Sequence, residues 1–352
     1  MRLSVVNEAP SVYYRLMSSY LLPVFYAILQ LIILIAVGFV ARRAGQWSDA
    51  FFAALSAFVI RIALPLYFVS RVGRTNISDV GQLLVMPIAA AALVAVGLIM
   101  SHALFAALPF TGASRRAGIA LAAFGNAGYI PLTLAEIVPI SVPMVADRYS
   151  AELVPVQIAA FLFVFSPMLW SLGSLIITTP DGGRNRFQWT KLVSPPLIGI
   201  VIGLAVSLSG IGTRAVDPQL PFHHILEAID RLSAITLPLA LVCLGALIGG
   251  LKVPRGAFGH YIGMALSVCA VRFLLFPALF FALYAAGLLR YLGPPVLFAV
   301  FLEMHTPPAT NFSLMVGKAG VNTEHTAVTL LVSYAAYLIV MPIYLVLLLA
   351  MG

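Results

Sequence analysis

The fold of this chain is decided by the stretch FLEMHTPPATNF, residues 301–312. It begins as an apolar helical sequence and then places two consecutive prolines in its middle. Pro307 and Pro308 lack the backbone N–H that a helix needs, so the carbonyls of Glu303 and Met304 lose their helical partners. In hydrocarbon, an unpaired carbonyl costs several kcal/mol. The stretch therefore predicts a helix that breaks inside the protein, around a cavity.

The composition of the whole chain places this broken helix in a membrane. Of 352 residues, 62% are hydrophobic and 9% are charged, whereas a soluble domain has about 45–50% apolar and about 25% charged residues. This composition excludes a soluble enzyme, a DNA-binding protein and a disordered chain. The net charge of +8 then indicates the positive-inside bias of a membrane protein, and no nucleic acid is expected as a partner.

Windows of about 20 apolar residues, the length of a transmembrane helix, recur along the chain. They fall at residues 22–41, 51–70, 84–108, 117–138, 153–177, 193–210, 233–250, 259–287, 294–316 and 327–350. This pattern predicts an all-α membrane protein of about ten transmembrane helices, with residues 1–352 as a single membrane domain. The sequence contains no Walker loop and no HExxH or CxxC motif, so we expect neither an enzyme nor a cofactor or metal site.

Lysine and arginine are unevenly divided between alternate loops. One set of loops carries ten, and its best representative is the basic loop Thr179–Lys191; the other set carries six, to which the N-terminal tail adds two. Cytoplasmic loops of membrane proteins are enriched in these residues. The first set is therefore predicted to be cytoplasmic, with both termini extracytoplasmic, in the cell membrane.

The two halves of the chain resemble each other weakly. IALPL at residues 62–66 is similar to ITLPL at residues 235–239, and Pro131 of the fourth span corresponds to Pro307 of the ninth, in each case about 175 residues apart. Chance recurrence in an apolar chain is the alternative explanation. An offset of half the chain, shared by both pairs, favours duplication.

Each half would then contain five spans, and two tandem halves with an odd number of spans have opposite orientations in the membrane. The sequence therefore predicts two inverted repeats, residues 22–178 and 191–350, an arrangement typical of secondary transporters.

The fourth span contains a second predicted break, AFGNAGYIPL at residues 123–132. Pro131 removes a backbone donor, and Gly125 and Gly128 permit conformations that other residues resist. Asn126 adds a neutral amide. Half-helices that begin after such breaks direct their positive N-terminal ends into the cavity, which predicts an anion site at the midplane. Simple proline kinks are the alternative.

The candidate site combines the neutral groups beside both breaks. The predicted substrate-binding residues are Asn126, Gly128, Thr310 and Asn311. The residues predicted to keep the helix ends open are Gly125, Pro131, Pro307 and Pro308.

Ionisable residues inside spans need a separate explanation, because each is costly in hydrocarbon. Glu303 and His305 flank the ninth-span break, and either can carry a proton, which would make the protein a proton- or sodium-coupled symporter. Arg272 can balance a substrate anion. A structural alternative pairs Glu303 with Arg272 or Arg61. Glu136, near the outer end of the fourth span, is expected to be solvated.

These features resemble those of the auxin efflux carrier family, which includes plant PIN and PIN-like carriers and many bacterial permeases. The similar stretches cover nearly the whole chain in the family's order. They are residues 37–45, 63–65, 194–199, 237–241, 244–246 and 307–311.

The resemblance implies a ten-span fold related to sodium/proton antiporters and bile-acid symporters. The interrupted fourth and ninth spans would cross at Pro131 and Pro307. Spans 1, 2, 6 and 7 would form a scaffold and dimer interface, and spans 3–5 and 8–10 a moving transport domain. Asn126 matches an amide that holds the substrate carboxylate in plant members. Gln157 stands where plant members also carry glutamine, so the resemblance adds Gln157 to the predicted substrate-binding residues.

Two departures from the family pattern affect the site. Asn126 precedes Pro131 by five residues, whereas bacterial members usually have seven, so the position of the amide is altered. Ser194 replaces the usual asparagine before the sixth-span prolines.

The sequence therefore predicts a secondary transporter that moves a small organic carboxylate across the lipid bilayer by elevator-type alternating access, as a homodimer. The substrate stays open among aromatic hormone-like acids, malonate-like diacids and other anions, and so does the direction of transport. The alternatives from other classes are a receptor and an intramembrane enzyme, the latter lacking a nucleophile motif beside Glu303 and His305.

Overall fold

A computed structural model describes residues 9–77, 80–180, 193–211, 219–253 and 256–351. Across these residues the chain is helical, and the only β-type pairing is an isolated bridge between Gly125 and Pro308. The predicted cytoplasmic loop Thr179–Lys191 falls almost entirely outside the described residues.

The helices are numbered α1–α14 in chain order. The first half comprises α1 (Ala9–Arg43), α2 (Asp49–Arg74), α3 (Val80–Ala106), α4 (Gly112–Ala123), α5 (Tyr129–Ser141), α6 (Pro143–Tyr149) and α7 (Ala151–Thr178). The second half comprises α8 (Pro195–Leu208), α9 (Pro221–Ser233), α10 (Thr236–Gly250), α11 (from Ala257 to Ala285), α12 (Pro294–Met304), α13 (Asn311–Ala319) and α14 (Thr323–Met351).

The structure confirms an all-helical, multi-pass membrane fold. In the described part of the chain, seven helical stretches are long and apolar enough to cross a membrane, or eight if α5 and α6, bent by 115°, form one span. Helices α8 and α12 are apolar but shorter. The count of ten spans stays a prediction, because the fourth and ninth predicted spans are interrupted and the sixth begins beside residues 181–192.

Three long helices each widen into a π turn. The turns lie at Val59–Ala63 in α2, Leu169–Gly173 in α7 and Val271–Leu275 in α11. Two of them come just before a proline, Pro65 and Pro277, whose missing N–H already interrupts the regular hydrogen-bond ladder. A π turn inserts a residue into the helix and is frequent at functional sites.

Helices α1 and α10 cross at very short range. A Cβ added at Gly38 would overlap the backbone of Val242, and a Cβ at Gly245 would overlap the carbonyl of Ile35. Small residues at such a crossing let two membrane helices approach closely enough for their backbones to contact each other. The contact is reciprocal, with one glycine from each helix.

The same kind of contact joins α2 to α8, where Gly199 lies against the backbone of Pro65 and Gly203 against that of Phe68. Two further helix pairs pack extensively, α3 with α7 and α11 with α14. The most buried side chains belong to α4, α5, α7 and α12, so the core of the molecule surrounds the two interrupted helices.

Glu136 is only partly exposed, and it has partners in the protein that the sequence did not suggest. Its carboxylate accepts a hydrogen bond of 2.8 Å from the Tyr67 hydroxyl and forms an ion pair of 3.0 Å with Arg71. Both partners lie on the last turns of α2, and they reach Glu136 of α5 through their side chains. The interaction therefore ties an interrupted helix to α2.

Replacing Gly245 with alanine should destabilise the protein, because the new methyl group would overlap the Ile35 carbonyl. Overpacking of this kind costs about 1–3 kcal/mol, so the melting temperature of the purified protein in detergent should fall by several degrees. Gly317→Ala is the control, since a Cβ there enters open space. Equal melting temperatures for the two variants would contradict the close crossing of α1 and α10.

Candidate functional site

Both predicted helix breaks are present. Helix α4 ends at Ala123 and α5 begins at Tyr129, while α12 ends at Met304 and α13 begins at Asn311. In the second break the two prolines lie inside the unwound segment, as predicted. In the first, Pro131 is the third residue of α5, where the missing N–H is tolerated because first-turn donors have no intrahelical partner. The chain unwinds before Pro131, over residues 124–128.

The two unwound segments satisfy each other's backbone groups. The N–H of Asn126 donates to the carbonyl of Pro307 at 2.7 Å, and the N–H of Ala309 donates to the carbonyl of Phe124 at 3.0 Å. Within a membrane protein, backbone polar groups released by a helix break must find partners in the protein. The breaks therefore meet in the interior, while the crossing of the two helices as an X stays a prediction.

A buried arginine braces this meeting point. Arg272, in the π turn of α11, donates its Nε to the carbonyl of Thr306 at 2.7 Å and its Nη2 to the Thr306 hydroxyl. A Cβ added at Gly125 would overlap both the guanidinium and that hydroxyl. Glycine at position 125 is therefore required for the close approach of the two breaks, and Arg272 holds the second break in place.

A cavity of about 270 Å³ lies where the interrupted helices face α2, α7 and α8. The polar residues that line it are Asn126, Tyr129, Ser166, Ser194, Thr310 and Asn311. Its apolar wall includes Ile60, Leu64, Leu162, Phe165, Leu169, Trp170 and Ile200. Among the described residues, no charged side chain lines it.

Three helix N-termini border this cavity. They are the starts of α5, α13 and α8, marked by the N-cap residues Gly128, Thr310 and Ser194. None of these residues caps its helix through a side-chain hydrogen bond. The N-terminus of a helix carries about half a positive charge, and its first N–H groups lack intrahelical partners. The cavity is thus electropositive, although none of the described residues that line it has a cationic side chain.

Asn126 is held by a partner that the sequence did not reveal. Its Nδ2 donates to the Tyr334 hydroxyl at 2.6 Å, and that hydroxyl donates in turn to the carbonyl of Pro308 at 3.3 Å. Tyr334 belongs to α14, and the only sequence signal for its role is that a buried tyrosine hydroxyl needs a partner. Because the amide nitrogen has two hydrogens, one remains for a ligand.

The predicted substrate-binding residues divide into two groups. Asn126, Gly128, Thr310 and Asn311 all line the cavity. Gln157 is buried on α7, its Oε1 has no hydrogen-bond partner among the described residues, and it does not line the cavity. The structure therefore brings together the residues argued from the helix breaks and leaves apart the one suggested by the family resemblance.

Glu303 is buried, and neither carboxylate oxygen has a hydrogen-bond partner in the part of the chain that the structure describes. Among the described residues, the structure shows no ion pair between Glu303 and Arg272 or Arg61, the structural alternative; Arg272 is bonded to Thr306 and Arg61 is exposed. Glu303 instead shares a small second cavity with Arg272, Thr306 and Gly125. Arg272 is thus separated from the main cavity.

His305 occupies an aromatic environment. Its ring lies 4.2 Å from that of Phe301, and 5.1–5.9 Å from those of Phe280, Phe281 and Tyr344. Its Nδ1 is 2.7 Å from the Phe301 carbonyl, and its Nε2 has no partner in the described ranges. His305 lines neither cavity of the helix breaks.

A family model described as "membrane transport protein" matches residues 23–180 and 184–345. The chain belongs to this family. The match confirms the resemblance to the auxin efflux carriers. It identifies the protein as a membrane secondary transporter. The family is a transporter family and not an enzyme family. The two matched segments divide close to residue 180, where the sequence places the boundary between halves. No curated protein matches the chain.

Gly125→Ala should disrupt the meeting of the two breaks, because its methyl group has no space beside Arg272 and Thr306. We expect a lower melting temperature and a loss of monodisperse protein in size-exclusion chromatography. Gly128→Ala is the matched control in the same unwound segment, where a Cβ meets nothing within 4 Å. A Gly125→Ala variant as stable as Gly128→Ala would show that the breaks are not packed this closely.

Proposed function

We propose that this protein moves a small organic carboxylate across the cell membrane by elevator-type alternating access, with the substrate bound at the two interrupted helices. The observation that carries the proposal is the convergence of three uncapped helix N-termini on one cavity whose described lining has no charged side chain. Backbone N–H groups at helix N-termini bind anions. The Asn126 amide and the Thr310 and Asn311 side chains supply directional hydrogen bonds to the same group.

The remainder of the cavity supports an organic substrate over an inorganic ion. Most of its wall is apolar, and Phe165 and Trp170 present aromatic side chains. Small-molecule sites are typically lined by hydrophobic and aromatic residues with a few placed polar groups. A carboxylate at the helix ends and an apolar body against this wall would use both parts of the cavity.

The helix packing supports two inverted repeats. If the halves are repeats, each of the first five spans corresponds to the span five places later. The α1–α10 contact then corresponds to the α8–α2 contact, and the α3–α7 contact corresponds to the α11–α14 contact. All four contacts are present. Helices α1, α2, α8 and α10 would form the scaffold, and the remaining spans would form the transport domain.

The position of the cavity supports an elevator. One wall, with Leu64 and Ile200, comes from the proposed scaffold, and the other, with Asn126 and Thr310, comes from the proposed transport domain. A moving domain that carries the substrate past a fixed apolar surface would expose the site first on one side of the membrane and then on the other. Both termini would be extracytoplasmic, and the scaffold would form a homodimer, as the resemblance implies.

Asn126→Ala should reduce carboxylate uptake into proteoliposomes at least tenfold. The substitution removes the amide side chain of the first break, which lines the cavity. The measurement is initial uptake of radiolabelled carboxylates, screened first by thermal shift on the wild-type protein. Gln30→Ala removes an exposed amide on α1 and should leave uptake unchanged. Wild-type binding and flux in Asn126→Ala would mean that the substrate is held elsewhere.

A second proposal adds ion coupling at Glu303, with His305 as the other candidate. The observation that favours Glu303 is its burial without a hydrogen-bond partner for either oxygen among the residues that the structure describes. A buried carboxylate is costly unless it is paired or neutralised, so binding a proton or a cation would stabilise it. The aromatic surroundings of His305 give it less access to the cavities.

Glu303→Gln separates coupling from translocation. If Glu303 carries the coupling ion, the variant should lose uptake driven by a proton or sodium gradient but retain exchange of labelled for unlabelled carboxylate, since no net ion movement is needed. His305→Gln is the matched comparison two residues away. Gradient-driven uptake in Glu303→Gln at the wild-type rate would exclude Glu303 as the coupling group.

A further inference from the structure

A second large cavity, of about 370 Å³, lies near the start of α7. Its polar lining consists of Arg148, Tyr149, Tyr284 and Arg290, and the rest is leucine and proline. The substrate cavity touches α7 only from Leu162 onwards, roughly 17 Å further along the helix at 1.5 Å per residue. The two cavities are therefore separate sites at different depths in the molecule.

The buried hydroxyl of Tyr149 indicates that this cavity binds a ligand. Its side chain is only 1% exposed, and its ring stacks on Phe298 with 5.0 Å between ring centres and 22° between planes. Within the described ranges, the hydroxyl has no hydrogen-bond partner. An unpaired buried hydroxyl destabilises the protein, and an acceptor bound in this cavity would remove that cost.

The cavity also holds two positive charges that the described residues do not neutralise. Arg148 lies with its guanidinium 5.3 Å from the centre of the Tyr149 ring, and Arg290 is exposed at the rim. Neither forms an ion pair with a carboxylate of the described chain, including the nearby Asp147 and Glu152. The described lining contains no acidic side chain.

We propose that this cavity binds a phosphate group, carried either by an anionic phospholipid headgroup or by a soluble phosphate. Guanidinium groups match phosphate oxygens in charge and geometry. A phosphate has enough oxygens to accept from Arg148, Arg290 and the Tyr149 hydroxyl together, and its charge would offset the two arginines. Leu289, Leu292 and Leu297 give the apolar remainder of a lipid a surface to contact.

The site joins the two halves of the chain. Arg148 and Tyr149 end α6 in the first half, whereas Arg290 lies between α11 and α12 in the second. A bound phosphate would therefore bridge segments that have no ion pair between them in the described structure. This inference does not depend on the substrate site, since no residue is shared by the two cavities.

The test uses the purified full-length protein with three variants. Arg148→Gln/Arg290→Gln removes both charges, and Tyr149→Phe removes only the hydroxyl. Arg231→Gln is the control, an exposed arginine on α9 outside this cavity. The probes are inorganic phosphate, measured by thermal shift against chloride at equal ionic strength, and phosphatidylglycerol, measured by native mass spectrometry against phosphatidylcholine.

Wild-type protein and Arg231→Gln should bind one of the two probes selectively, and the double variant should lose it. Tyr149→Phe should weaken the same binding about tenfold, as expected for one hydrogen bond to a charged group. Stabilisation by inorganic phosphate identifies a soluble ligand, and selective retention of phosphatidylglycerol identifies a lipid.

Binding of neither probe would overturn the proposal, as would equal binding by the wild-type protein and the double variant. If the double variant fails to fold, Tyr149→Phe decides alone, and undiminished binding there overturns the proposal. Asn126→Ala should bind the phosphate probe normally, so failure of the substrate site and failure of this site can be told apart.

Discussion

The pairing of two unwound backbone segments is the constraint on which the rest of the structure depends. Residues 124–128 and 305–310 interrupt their helices in the buried core, and each supplies backbone donors and acceptors that the other lacks. Because bonds of 2.7 Å and 3.0 Å require close contact, Gly125 has no room for a side chain and Arg272 must reach across from α11 to Thr306. The positions of four half-helices follow from this one contact.

Charges and recognition are spatially separated in this protein. Arg272 is bonded to Thr306, Glu136 is bonded to Arg71 and Tyr67, and Glu303 lies beside Arg272 in a small cavity apart from the larger one. The larger cavity at the breaks contains only neutral side chains among the described residues. A helix dipole is fixed by the backbone and needs no counter-ion, whereas a buried guanidinium must be paired. Uncapped helix ends therefore provide a positive potential without a charged side chain in the membrane interior.

Much of this could be predicted from the sequence, because its signals are local. Proline and glycine mark the breaks through the donors they lack and the conformations they permit, and the polar residues beside them, Asn126, Thr310 and Asn311, indicate the cavity. The first break still lies ahead of Pro131, since a first-turn position tolerates proline and the sequence alone does not show where α5 begins.

The other contacts of the site depend on which helices are neighbours, and the periodicity of the sequence does not show which helices these are. Tyr334 reaches Asn126 from a span more than 200 residues away in the chain. Ser194 contributes a third helix end, and Arg272 braces the backbone where substrate contact was expected. Glu136 is paired with side chains of α2. Gln157 is the opposite case, a predicted site residue that does not line the cavity. A residue type shared with relatives does not determine where its side chain points.

An anion anchor made from the main chain, as proposed for this cavity, would have an evolutionary consequence. Side-chain mutations can alter the apolar wall formed by Leu162, Phe165 and Trp170 without touching the N–H groups at the starts of α5, α8 and α13. Recognition of the charged end of a ligand would persist while preference for the rest of the ligand drifts. A lineage built on this architecture can diversify its cargo in small steps, and no intermediate has to rebuild the part of the site that handles charge.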